Sequence, residues 1–210
     1  MIELYAITDH PGPPLPDVAP LTAVPIDGLA AVCAPASETE ASPETLWRHE
    51  EVVEALMADR DLLPARYGTR LEDEAAVARA VDDRRDELAA ALDRVRGAVE
   101  LSVRVAAAGT SPGQVATAQA ASGAEYLRVR ARAEASHERT ASAVHEPLSA
   151  LSRTSVVGRP RPPELFRAAY LVERDAVEPF TAAVARLQDV SAGFSILCTG
   201  PWPPYSFAER

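Results

Sequence analysis

The apolar residues of this chain switch repeatedly between a spacing of two and a spacing near 3.6, and that switching limits the fold more than any other feature. The clearest run is Val99, Leu101, Val103 and Val105, alternating with Glu100, Ser102 and Arg104. Such alternation is the mark of a half-buried strand. Ile2–Ile7 and Leu21–Ile26 read as further strands, and Asp27-Gly28 turns the second into Leu29–Cys33 as a hairpin. Ser42-Pro43 then opens a helix, with serine as N-cap and proline at the first helical position. Its face is Leu46, His49, Val53 and Leu56. Leu62–Tyr67 is strand-like, and Pro64 confines it to an edge or a bulge. One long helix follows from Leu71-Glu72-Asp73-Glu74, striped by Val77, Val81, Leu88, Leu92 and Val95 and closed by Arg94, Arg96 and Gly97.

The first half therefore reads β-β-β-α-β-α-β. That order predicts an α+β, ferredoxin-like plaited sheet with helices on one face, over residues 1–108. Residues 106–123 hold one valine and no charge, so 109–123 reads as a connector to a second α+β domain over 124–210. There a long helix is expected over Glu125–Leu151, seamed by Ala133, His137, Ala141, Val144, Leu148 and Leu151 and interrupted at Pro147. A strand at Leu165–Val172 follows. Next comes a helix capped by Asp175 and striped by Val177, Phe180, Val184 and Leu187, then a last strand from Phe194 to Thr199.

Charge divides along the same line. Residues 1–108 carry 21 acids and 10 arginines, residues 109–210 carry 10 acids and 11 arginines, and the whole chain is at −10. A net negative chain argues against a nucleic-acid binder held by phosphate contacts. No run approaches the ~18 apolar residues of a membrane span, and Met1 leads into a strand with no signal-like segment, which points to a cytoplasmic protein. Cys33 and Cys198 are isolated and read as core thiols.

Catalytic chemistry is hard to find. There is no lysine, hence no phosphate loop of the Gly-x-x-x-x-Gly-Lys type, and neither a Gly-x-Gly-x-x-Gly turn nor a Gly-x-Ser-x-Gly elbow. His49-Glu50-Glu51 lacks a second histidine four residues on, where Val53 stands, so His49 reads as a half-buried packing residue. His137 and His145 lie eight apart, too far for a helical metal pair, and His10 sits in a proline loop. The acid pairs fall on helix starts and exposed faces beside arginines. No enzyme, cofactor or metal centre is expected.

Two segments ask for more. Leu63-Pro64-Ala65-Arg66-Tyr67-Gly68-Thr69 gathers proline, arginine, an aromatic and glycine on one supposed strand. The tail, Thr199-Gly200-Pro201-Trp202-Pro203-Pro204-Tyr205-Ser206-Phe207, holds three of only eleven aromatics on a proline framework. It is either a clasp packed on the C-terminal domain, with Trp202 as its buried anchor, or a presented partner-binding element. The clasp is the favoured reading, because prolines lower the entropy lost on docking.

Both segments resemble the gas vesicle accessory proteins GvpF and GvpL. The tail is similar to that family's C-terminal signature, and residues 63–69 are similar to its Leu-Pro-Val-Arg-Phe-Gly-Thr segment, with Ala65 and Tyr67 as departures. Trp47–Met57, Ser122–Leu127 and Ala168–Val172 match further family segments, so the resemblance runs almost the length of the chain, in order. It implies a ferredoxin-like N-terminal domain and an α+β C-terminal domain. It also implies a minor accessory role in gas vesicle assembly, located at the vesicle, with the small amphipathic shell protein and other accessory proteins as partners. The alternative is a regulatory protein-binding module of the same fold. No catalytic residue or cofactor comes with it. The residues it singles out, as structural or partner-binding positions, are Pro64, Arg66, Tyr67, Gly68, Gly200, Pro201, Trp202, Pro203, Pro204 and Tyr205. The short chain without insertions points to the F type.

Overall fold

The computed structural model of the chain describes residues 1–36, 42–107, 139, 141–161, 163–190 and 193–208. It is an α+β structure with two sheets, one of five strands and one of four. The chain divides into two compact units, Met1–Glu100 with Pro201–Arg210, and Leu101–Gly200. The division falls inside two strands instead of at residue 108, and the connector expected over 109–123 lies outside the described residues.

The first unit begins with β1 (Ile2–Asp9), β2 (Thr22–Ile26) and β3 (Leu29–Pro35). β2 and β3 form the expected hairpin, with Ile26 opposite Leu29 and both turn residues, Asp27 and Gly28, at positive φ. β1 lies beside β3, and its other edge takes β4 (Leu62–Pro64) and the two-residue β5 (Arg70–Leu71). Pro64 sits opposite Ala6 on this edge strand, where no ladder donor is required of it. The strand stops there and does not reach Tyr67 as the sequence suggests. β3 is buried at six consecutive positions, Leu29–Ala34. Successive strand residues face opposite ways, so both faces of this strand are covered.

α1 (Pro43–Met57) is capped as read. The Ser42 hydroxyl accepts from the Thr45 N–H, and the Thr45 hydroxyl accepts from the Ser42 N–H, which satisfies two otherwise orphaned donors. Burial begins at His49, while Leu46 is exposed. The single long helix expected next is two, α2 (Glu74–Asp82) and α3 (Arg85–Val95). No apolar residue stands between Val81 and Leu88, so nothing on that stretch is buried to hold a continuous helix together, and Arg84 leaves helical geometry at φ −121 and ψ 16. Asp73 caps α2 by accepting from the Ala76 N–H. Gly97, at φ +72, ends α3 and donates its N–H to Asp61.

The second unit follows β6 (Ala98–Ala107) with α4 (residues 141–149), β7 (Thr154–Val157), β8 (Glu164–Glu173), α5 (Val177–Val190) and β9 (Phe194–Trp202). The element order is βαββαβ and the sheet order β7-β8-β6-β9, so the ferredoxin-like plait sits here and not in the N-terminal half. The misplacement comes from β6, whose alternation fits either sheet and which joins the second. β7 escapes the sequence reading because four residues are too few for a period to show.

Leu101, Val103, Val105, Val144, Leu148, Phe166, Tyr170, Val172 and Phe180 form this unit's core. Leu151 lies outside it, exposed, and the helix runs through Pro147 to end two residues later. Asp175 lies within a 3-10 turn that runs into α5 and so does not stand outside the helix as its cap. Ala133 and His137 lie outside the described residues.

Candidate functional site

The two unusual segments meet the same helix. His49 on α1 is 1% exposed, more deeply buried than its sequence context suggests. Its Nε2 lies 3.0 Å from the Ala65 carbonyl oxygen and its Nδ1 lies 3.1 Å from Glu3 Oε1. A carbonyl can only accept, so Nε2 carries a proton. Nδ1 is paired with the Glu3 carboxyl. The ring stacks on Tyr5 at 4.8 Å and meets Tyr67 edge-on at 5.6 Å. Tyr67 in turn shares a hydrogen bond between its hydroxyl and that of Thr45, in the α1 cap. Both ring nitrogens are therefore engaged, which leaves His49 no lone pair for a metal or a substrate proton. Burial, and secondarily the Glu3 charge, push the Tyr5 phenol upward.

Residues 66–69 make a tight turn closed by the Thr69 N–H on the Arg66 carbonyl at 3.0 Å. Gly68 occupies its third position at φ +81, the left-handed region that favours glycine. The Leu4 N–H then donates to the Thr69 carbonyl at 2.9 Å, which fastens the turn to β1. Pro64 is buried, Tyr67 half-buried, and Arg66 and Gly68 exposed. Proline and glycine thus supply an edge strand and a turn, while Tyr67 and the Ala65 carbonyl supply the contact with α1.

The tail is a clasp, but with other anchors and on the other unit. It groups with Met1–Glu100. Pro203, Pro204 and Phe207 are buried, Pro201 is exposed, and Trp202 is 41% exposed, so Trp202 is not the anchor. The Tyr205 hydroxyl donates to the carboxylate of Glu50 on α1, at 3.2 Å from each oxygen. The Ser206 N–H and hydroxyl each donate to Glu100 at 2.8 Å. Glu100 is only 8% exposed, and desolvation raises its pKa although both Ser206 bonds oppose the shift. Desolvation also raises the Tyr205 phenol, helped by Glu50 and Glu54. Gly200 enters the segment at φ +119.

Sequence reasoning missed Glu3, Glu50, Glu100, Ser206 and Phe207 as partners. Glu100 lies at an outward position of an alternating strand, where an acid looks solvated, and no local signal marks the tail that covers it. Among the described residues no group of three or more His, Cys, Asp or Glu is placed to hold a metal ion. No described helix is long and apolar enough to cross a membrane. Burial raises both thiols, Cys33 and Cys198.

This arrangement can be set beside known proteins. A sequence profile described as gas vesicle synthesis protein GvpL/GvpF matches residues 3–209. The chain is 34% identical to gas vesicle protein L of Streptomyces sp. (strain CB03234) over 76% of its own length and 67% of that protein. It is 29% identical to gas vesicle protein F of the same strain over 86% of its own length and 84% of that protein. Its fold is similar to the crystal structure of the gas vesicle protein GvpF from Anabaena sp. PCC7120, with a TM-score of 0.81, 19% identity and coverage of 100% and 98% of the two chains. The GvpF structure from Microcystis aeruginosa gives 0.78 at 20% identity, over 100% and 99%. With a profile match over almost its whole length, this chain belongs to the GvpL/GvpF family of gas vesicle synthesis proteins.

Proposed function

We propose that this protein is a minor accessory component of gas vesicle assembly that binds the small amphipathic shell protein during nucleation or growth, and that it resides at the vesicle. The family match over residues 3–209 carries the reading. A binding role is favoured over a catalytic one because His49, almost fully buried, spends both nitrogens on internal partners. Large apolar side chains instead lie exposed, among them Trp47, Leu197 and Trp202. A shell protein with an apolar face needs such cover before it assembles, and the acidic first half keeps the complex soluble by like-charge repulsion. The F-type reading rests on the short chain without insertions, since the chain spans more of the F relative but is more identical to the L relative.

Co-purification of the shell protein with the tagged chain from vesicle-forming cells tests this. Enrichment of the shell protein, lost when the gene for this chain is deleted together with normal buoyancy, is the expected result. Normal vesicles in the deletion strain with no shell protein in the pull-down would overturn it.

A further inference from the structure

Both tryptophans of this chain lie at the surface of the first unit, Trp47 at 64% exposed and Trp202 at 41%. Large aromatics are ordinarily well buried, and this chain has few to spare, with 5% aromatic residues. Trp47 also has a particular setting. At ~100° per residue along a helix, positions 44, 50, 51 and 54 all fall within ~60° of position 47. All four are glutamates, while Arg48 points ~100° away. One face of α1 is therefore a tryptophan flanked by four acids, with no base on it. Glu51 and Glu54 on this face are exposed, as are Glu44 and Trp47. Glu50 receives the Tyr205 hydroxyl, so the tail that carries Trp202 borders the same face. The surrounding unit adds to the field, since residues 1–100 hold 21 acids against 9 arginines.

We infer that the Trp47–Glu51–Glu54 face of α1, bordered by the C-terminal tail, is a docking surface for a basic amphipathic helix of a partner protein. The indole supplies an apolar platform that also attracts arginine or lysine through its π face. The glutamates around it pair with guanidinium groups at the edge of the partner's apolar stripe. An acidic helix or a nucleic acid meets repulsion here. Tryptophan flanked by a charged rim is also the composition in which interface binding energy concentrates. The inference rests on the assembly reading in taking the occupant to be a protein helix; charge and exposure alone select its basic character.

Because both tryptophans are at the surface, tryptophan emission of the full chain reports on this face directly. The probe is a synthetic amphipathic peptide of about 18 residues, long enough to hold a helix, with leucine on one side and arginine along the margins. Its control replaces every arginine with glutamate. The arginine peptide should shift the emission to the blue saturably, weakening as salt rises, while the glutamate peptide stays silent. The double variant Glu51→Lys/Glu54→Lys, at exposed positions that leave the Glu50–Tyr205 contact in place, should weaken binding by about tenfold or more. Trp47→Phe should remove most of the signal and Trp202→Phe less of it.

Equal binding of the two peptides, or no loss on charge reversal, would overturn the inference. So would an emission shift that follows protein concentration without peptide, which would make a second copy of the chain the occupant. The same double variant separates this inference from the assembly reading. Undiminished co-purification of shell protein with it would sink the surface and leave the reading intact. Selective peptide binding without any shell co-purification would do the reverse.

Discussion

Removing the Phe207 ring is expected to unseat the C-terminal tail. Phe207 is 4% exposed and is the largest apolar side chain that the tail buries. A phenyl ring takes ~150–200 Å² out of water, which at ~25 cal/mol per Å² corresponds to ~4–5 kcal/mol. Truncations of buried aromatics cost ~3–5 kcal/mol when a cavity remains. Residues 201–208, however, pack as a short segment that can shift to close part of the void, which lowers the cost. That places Phe207→Ala near the lower figure, ~3 kcal/mol. Trp202→Ala, at a position 41% exposed, should fall within ~0.5–1 kcal/mol. Urea unfolding followed by far-UV circular dichroism measures both, with the slope read alongside the midpoint to detect a change in the unfolded ensemble. A Phe207→Ala midpoint equal to that of the parent would refute the reasoning, as would Trp202→Ala proving the more damaging of the two.

The other predictions rest on single contacts. Burial raises the Glu100 pKa in the folded state, so between the unfolded value near ~4.3 and the raised folded value the native protein holds the extra proton. Stability from this group is thus fully present below the unfolded value and is lost as pH rises through the folded one. Glu100→Gln, whose amide can accept from the Ser206 N–H and donate to its hydroxyl, should flatten that slope in urea titrations as pH rises above ~4.3; an unchanged slope would count against it. His49→Ala leaves the Glu3 carboxyl and the Ala65 carbonyl without their buried partner. It should destabilise by ~3–5 kcal/mol, read as a large fall in thermal midpoint; a fall of a degree or two would show the pair to be dispensable. Gly68→Ala meets no atom within 4 Å but must adopt φ +81. The expected loss is ~1–2 kcal/mol by urea unfolding, and a substitution without effect would mean the turn rearranges freely.

Local rules carried the sequence reading a long way. Ser42-Pro43, Asp27-Gly28 and Gly97 each make the cap or turn that their chemistry dictates. The α+β character and the strand at β6 follow from periodicity alone. What stayed hidden depends on long-range pairing. The period of Val99, Leu101, Val103 and Val105 specifies a strand with one apolar face, but not which sheet receives it, so the ferredoxin-like order was placed in the wrong half. Charge was equally blind to distance: Arg84 and Arg85 read as helix surface, yet between Val81 and Leu88 they mark the break. Aromatic size misled in the tail, where Trp202 looked like the natural anchor. The buried roles go instead to Pro203, Pro204 and Phe207, around a Ser206 whose partner Glu100 lies more than a hundred residues away.

The tail contacts also divide strength from register. When the tail leaves, Glu100 regains water and Ser206 regains its own solvent bonds, so these two hydrogen bonds exchange against hydration and add little net free energy. Burial of Phe207, Pro203 and Pro204 has no such compensation and supplies most of the holding force. Apolar contact is tolerant of small slips along a surface, whereas two donors from one residue meeting the two oxygens of one carboxylate are not. Ser206 on Glu100 therefore fixes the register of the docked segment, and Tyr205 on Glu50 ties it to α1. Prolines at 203 and 204 stiffen the span that leads to both bonds. Trp202, just before that span, keeps two-fifths of its surface exposed while Pro203 and Pro204 after it are buried.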